Sequence, residues 1–171
     1  MRGLFIGRFQ PLHLGHMSIM ETALSEVDEL IVGVGSAECS YTTKDPFTAG
    51  ERVEMVLRAS RERGWEGRVI PVPIRDVNRY SIWVSHVVSL VPIFDVVFSN
   101  NPLTVRLFRD AGYDVRSTRL VDREHFSGTA IRKEMLTGEK WKGFVPDSTA
   151  GFVGTINGIE RMKEISGGDQ K

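Results

Sequence analysis

What most limits the fold open to this chain is alternation: short apolar runs of strand length take turns with segments whose apolar residues recur at helical spacing. Leu4-Phe5-Ile6 is the first run and ends at Gly7. Met17, Met20, Leu24 and Val27 follow at i, i+3, i+7 and i+10, one face of a helix. Leu30-Ile31-Val32-Gly33-Val34 is the second run, followed by a polar loop over 36–47 with Pro46 near its end. Thr48 and Glu51 have the spacing of a capping box. They predict a helix with Val53, Val56 and Leu57 inward and Gly64 at its end. Val69-Ile70-Pro71-Val72-Pro73-Ile74 is the third run, and its two prolines, lacking N–H donors, place it at a sheet edge. A helix over 80–91 is stopped by Pro92, and a fourth strand covers 95–99. Asn101 caps a helix with Pro102 at its first position, running to Asp110. A fifth strand covers 113–116, Ser127 or Gly128 starts a helix to Leu136, and a last helix is predicted over 149–165.

Five strands alternating with helices predict parallel βαβ units, hence a Rossmann-like doubly wound α/β sheet with helices on both faces. Runs this apolar belong to strands buried on both sides. No repeat, low-complexity stretch or linker interrupts residues 1–165, which are read as a single domain. Residues 166–171, small and polar, are read as a flexible tail. A chain of 171 residues buries about 70% of its unfolded surface, enough for a core without staples. The 22 Lys+Arg balance 22 Asp+Glu. Nucleic-acid binders carry a basic excess, so nucleic acid is not an expected partner, and an anionic ligand needs a local basic cluster. Cys39 is the only cysteine, so no intrachain disulfide forms, which fits a reducing compartment. The first residues do not read as a signal peptide, and no apolar stretch reaches membrane-span length. The expectation is a cytoplasmic protein with no membrane partner.

In doubly wound sheets ligands bind beyond the carboxyl ends of the strands, so the loops after Ile6, Val34, Ile74 and Phe98 carry the chemistry. The first of them reads Gly7-Arg8-Phe9-Gln10-Pro11-Leu12-His13-Leu14-Gly15-His16. Gly7 and Gly15 let backbone approach a ligand closely. A helix N-terminus there offers free N–H groups to phosphate. His13 and His16, three apart, share a face of the first turn, and Arg8 adds a cation. No further histidine or cysteine follows at zinc-ligand spacing, so no protein-bound metal is predicted here. The loop lacks the Gly-Lys-Ser/Thr ending of a P-loop, and Glu38 stands where a dinucleotide-binding turn needs its third glycine.

His13-Leu14-Gly15-His16 after a first strand resembles the HxGH signature of the nucleotidyltransferase superfamily. The longer string from Gly7 to His16 is similar to that of archaeal-type nicotinamide mononucleotide adenylyltransferases. So are Asp45-Pro46-Phe47-Thr48-Ala49-Gly50-Glu51-Arg52, Ile82-Trp83-Val84-Ser85-His86, Asn101-Pro102 and Ser127-Gly128-Thr129-Ala130-Ile131-Arg132. The resemblance covers nearly the whole chain.

The resemblance implies that AMP passes from ATP to nicotinamide mononucleotide, giving NAD and pyrophosphate, with Mg2+ carried mainly on the ATP phosphates. The nucleophile is the mononucleotide phosphate. Its second pKa is about 6 by analogy with other phosphate monoesters, so no general base is needed. His13 and His16 are then donors to the ATP phosphates, with His16 nearest the reacting centre. Arg8 and Arg132 are the catalytic cations, and Gly7, Gly15, Lys44, Asn101, Ser127 and Thr129 complete the ATP side. Lys44 stands where some relatives carry arginine, which keeps the charge and loses the bidentate fork. Trp83, whose indole face attracts the cationic pyridinium ring, is expected to hold the mononucleotide together with Asp76 and Phe47. Each has a plainer reading as well: Trp83 as core, Asp76 as a helix cap, Phe47 as buried apolar filling. The resemblance further implies a hexamer. Two alternatives stay open at this point: transfer to another phosphorylated acceptor, such as FMN or phosphopantetheine, and a non-catalytic nucleotide or NAD sensor.

Overall fold

The computed structural model describes residues 1–118 and 126–168. Five parallel strands form one sheet in the order β3-β2-β1-β4-β5: β1 Arg2–Gly7, β2 Glu29–Val34, β3 Val69–Pro73, β4 Val96–Phe98 and β5 Asp114–Arg116. The strands progress outward from β1 to β3 on one side, then from β4 to β5 on the other. The direction therefore reverses between β1 and β4, and the doubly wound expectation holds. Pro-rich β3 is at the edge, where its missing donors cost no ladder bonds.

Alternation along each strand feeds two cores. Phe5, Leu30, Val32, Val96 and Phe98 face the larger one. Leu4, Ile31, Val97 and Val115 face the smaller one. The larger core is closed by α1 Leu14–Glu26, α2 Ala49–Glu62, α5 Gly128–Thr137, α6 Asp147–Thr155 and α7 Gly158–Gly168. The smaller is closed by α3 Tyr80–Leu90 and α4 Pro102–Asp110. Among the described residues no helix is long and apolar enough to cross a membrane.

The caps form as their residues dictate. Thr48 and Glu51 make the reciprocal box on α2, Asn101 accepts from Leu103 and Thr104 on α4, and Ser127 accepts from Ala130 on α5. Three expectations change. The inward line of α2 is Arg52, Met55, Val56 and Ala59, while Leu57 is only half-buried; a guanidinium takes a core position for reasons of hydrogen bonding given below. The predicted last helix is two helices, because Asn157 turns left-handed at φ 52°. Gly158 then packs so closely that a Cβ there would stand 3.0 Å from both the Phe47 ring and Val153. The chain expected to fray from Ser166 stays helical to Gly168, and residues 169–171 lie outside the described residues.

Candidate active site

β1, the central strand, delivers the chain to Gly7 beside the reversal of strand order. A Cβ at Gly7 would stand 2.9 Å from the Phe9 ring, so that close approach requires glycine. Phe9, wholly buried, packs edge-on against Phe5 at 5.7 Å and tilted at 50° against His16 at 4.6 Å.

His13 caps α1. Its Nδ1 accepts from the His16 backbone N–H, and the His16 Nδ1 accepts from the His13 backbone N–H, both at 3.3 Å. Two histidines thus make the reciprocal cap more often built from a hydroxyl and a carboxylate. Their rings stack with centroids 3.6 Å apart and planes at 22°. A Cβ at Gly15 would sit 3.1 Å from the His13 ring, so this glycine makes room for the stacked pair.

Two cavities open here. One of about 200 Å3 is lined by His13, His16, Lys44, Thr129, Arg132 and Arg8. The other, about 560 Å3, is lined by Trp83, Asp76, Ser36, Asn101, Gly7 and, again, Arg8. Arg8 is half-exposed and sits 3.8 Å from Asp45. Arg132 reaches back from α5 to donate to the Gln10 carbonyl at 2.8 Å, with Thr129 Oγ1 at 3.4 Å. Trp83 stands edge-on to Phe108 at 5.6 Å and lines the larger cavity, so the core role and the pocket role coexist. Asp76 accepts from the Ser36 hydroxyl at 2.7 Å, and the Glu38 carboxylate holds its backbone N–H. It is not the cap of α3, which is Arg79.

The structure separates some residues expected together. Phe47 is no wall of the larger cavity. Its ring is fully buried in the larger core, while its backbone N–H and carbonyl are both taken by the Gln10 side chain at 2.9 Å. Gly7 and Asn101, expected on the ATP side, line the larger cavity. Ser127 is engaged as the α5 cap at 3.2 Å and lies one residue before Gly128, which does line the histidine cavity.

Residues 4–134 match the cytidylyltransferase-like family. The nicotinamide-nucleotide adenylyltransferase of Archaeoglobus fulgidus is 50% identical over 173 residues, an alignment covering 99% of each chain. That of Methanothrix thermoacetophila is 51% identical over 165 residues, covering 96% of each. This chain belongs to the nicotinamide-nucleotide adenylyltransferase family. Among solved structures, a bifunctional NMN adenylyltransferase/ADP ribose pyrophosphatase from Francisella tularensis complexed with AMP and Mn ion superposes with a TM-score of 0.73 at 19% identity. That alignment covers 96% of this chain and 51% of the other, so the chain spans about half the length of that bifunctional protein, and the likeness is one of fold.

In this nicotinamide-nucleotide adenylyltransferase family member, electrostatics complete the site. Burial pushes the His13 pKa down to about 4. Burial, and then the neighbouring His13, pushes His16 well below its ordinary range. Both rings are therefore neutral at pH 7. With each Nδ1 accepting, the hydrogen-bond pattern assigns the proton to each Nε2. The cap thus leaves two neutral Nε2–H donors on a cavity whose lining also carries the cations Arg8, Lys44 and Arg132. Gln10 is a site residue that sequence reasoning passed over. It is 3% exposed, its side chain pins Phe47 and its carbonyl holds Arg132. Its only sequence signal is a polar residue between Phe9 and Pro11-Leu12 in the strand-to-helix turn.

Proposed function

We propose that this chain joins the AMP moiety of ATP to nicotinamide mononucleotide, forming NAD and pyrophosphate in NAD biosynthesis. The observation that carries the reading is the shared wall at Arg8. It joins a cavity of neutral imidazole donors and cations to a second one that is large enough for a nucleotide and has an indole on its lining. A triphosphate suits the first, and a mononucleotide with a cationic ring suits the second.

The mononucleotide phosphate attacks the α-phosphorus of ATP, forming one P–O bond as the bond to pyrophosphate breaks. An ionised phosphate needs no base, so the chain supplies position and charge. His16 and His13 donate Nε2–H bonds to phosphoryl oxygens where negative charge develops. Arg8, Lys44 and Arg132 offset the charge of the two anions, and Thr129 with the α5 N-terminus holds the β and γ oxygens beside Ser127. Gly7 and Asn101 meet a nucleoside in the larger cavity, Gly15 keeps the histidine pair stacked, and Asp76 holds the mononucleotide at its amide or ribose.

Mg2+ fits this donor set as an ion that enters on the triphosphate. The cavity lining offers cations and imidazoles and no carboxylate; behind Arg8, the buried Asp45 Oδ1 accepts no hydrogen bond. When bound, it neutralises charge on the departing pyrophosphate. The same proposal takes residues 1–165 as one catalytic domain, places the protein in the cytoplasm and assembles it as a hexamer.

The deciding experiment supplies ATP, Mg2+ and nicotinamide mononucleotide and reads NAD with a coupled dehydrogenase. The expected result is NAD formation that falls about 100- to 1,000-fold in His16→Ala, the loss typical of one charge-stabilising donor. A folded protein that makes no NAD would sink the acceptor and send the search to FMN and phosphopantetheine. Turnover untouched in His16→Ala would remove the histidine from the mechanism.

A further inference from the structure

Arg52 is the only arginine among the largest fully buried side chains of the described residues, at 0% exposure. It sits in the first turns of α2 and faces the sheet. Its Nε–H donates to the Thr48 carbonyl at 3.2 Å. Nη1 donates to the carbonyls of Arg8 at 2.9 Å and Gly35 at 2.8 Å. Nη2 donates to those of Ser36 at 3.1 Å and Cys39 at 3.3 Å. A guanidinium has five N–H donors, and five carbonyls take them. Burial lowers the pKa of this group, against the pull of Asp45.

A buried cation is a poor way to gain stability, since an apolar side chain of equal volume fills the same space without desolvation. What only the guanidinium supplies is a rigid planar fork. Here the fork spans two separate loops, the one after β1 through Arg8 and the one after β2 through Gly35, Ser36 and Cys39. Arg8 lines both cavities, while Gly35 and Ser36 line the larger. Ser36 is held left-handed at φ 48°, a strained state for a residue with a side chain, and its hydroxyl reaches Asp76.

We propose that Arg52 is a positioning residue for adenylyl transfer, its fork setting the spacing between the Arg8 loop and the Ser36 loop and so the alignment of the phosphate cavity with the acceptor cavity. The inference rests on the adenylyl-transfer reading above. Arg68 supplies the matched control. It also bonds three backbone carbonyls, those of Asp28 at 2.9 Å, Leu24 at 2.7 Å and Val27 at 2.8 Å, but at the amino end of the strands, away from both cavities.

The test compares Arg52→Lys and Arg68→Lys, with unfolding followed by circular dichroism and steady-state kinetics taken at a temperature where each is folded. Both variants should melt earlier. Arg52→Lys alone should lose about 100-fold in kcat, as expected when reacting groups shift by about an ångström, with KM raised for both substrates. Arg52→Met, which keeps the volume without the charge, should show the same kinetic loss on an apolar background. Folded Arg52 variants with unmodified kcat and both KM values would overturn the inference while leaving the reaction standing. An equal kcat loss in Arg68→Lys would overturn it too, by showing a general effect of loosened backbone. No NAD from the unmodified protein would overturn the reading and the inference together.

Discussion

Burial keeps His13 and His16 uncharged in the folded chain at pH 7, and this makes the folded state sensitive to acid. The unfolded chain protonates His13 near its ordinary value of 6.5, whereas the folded chain resists until about pH 4. Between those values the unfolded state binds the extra proton. Stability is therefore full above pH 6.5 and declines as pH falls, by roughly 3 kcal/mol at pH 4 for His13 alone. His16 acts in the same direction. Denaturant unfolding at pH 7, 5.5 and 4.5 reads this directly, and a flat profile would mean the folded rings accept protons as readily as unfolded ones. Trp83 carries a second prediction at this scale. Trp83→Ala should raise KM for the mononucleotide about tenfold with little change for ATP. It should also lower the melting temperature, because the ring packs on Phe108. Equal loss for both substrates would leave only the packing role.

Elements were most legible where a single residue type has one mechanical use. Thr48 with Glu51, Asn101 with Pro102, and Ser127 each sat at a helix start, because a short polar oxygen satisfies free N–H groups there and nowhere else so well. The split between α6 and α7 escaped the periodicity, since Phe152, Val153 and Ile159 continue an apolar face across it. The signal lay in Asn157-Gly158, a turn dipeptide, and tertiary packing then made the glycine necessary. Gly158→Ala should cost about 1–3 kcal/mol, the usual penalty of overpacking, by pressing on Phe47 and Val153. Thermal unfolding of that variant checks it, and an unchanged melting temperature would show that the core gives way there. Arg161 on α7 clamps Glu51 with a bidentate pair at 2.7 and 2.8 Å and touches the Pro46 carbonyl. The carboxy-terminal hairpin thereby braces the stretch that carries Lys44.

At the scale of the molecule, Phe47 separates packing from recognition. Phe47→Leu should lower stability by about 1 kcal/mol and leave both KM values alone. A raised KM for the mononucleotide would return the ring to the binding site. Light scattering at micromolar concentration tests the hexamer, and a monomer there would remove assembly from the proposal. Sequence alone determined the parallel α/β class, the edge position of the proline-bearing strand, the histidine turn and the family. The first three follow from period, cap and turn chemistry, which act between near neighbours along the chain, and the family from the resemblance its motif strings carry. Tertiary structure decided the rest: the tautomer of the two histidines, the departure of Phe47 into the core, and the presence of Asn101 on the same cavity as Trp83. It also decided that a charged Arg52 faces inward. The tautomer rests on a reciprocal cap within one helical turn, and the other three depend on which backbone carbonyls and rings meet across tens of residues, meetings that exist only once the sheet has ordered its strands.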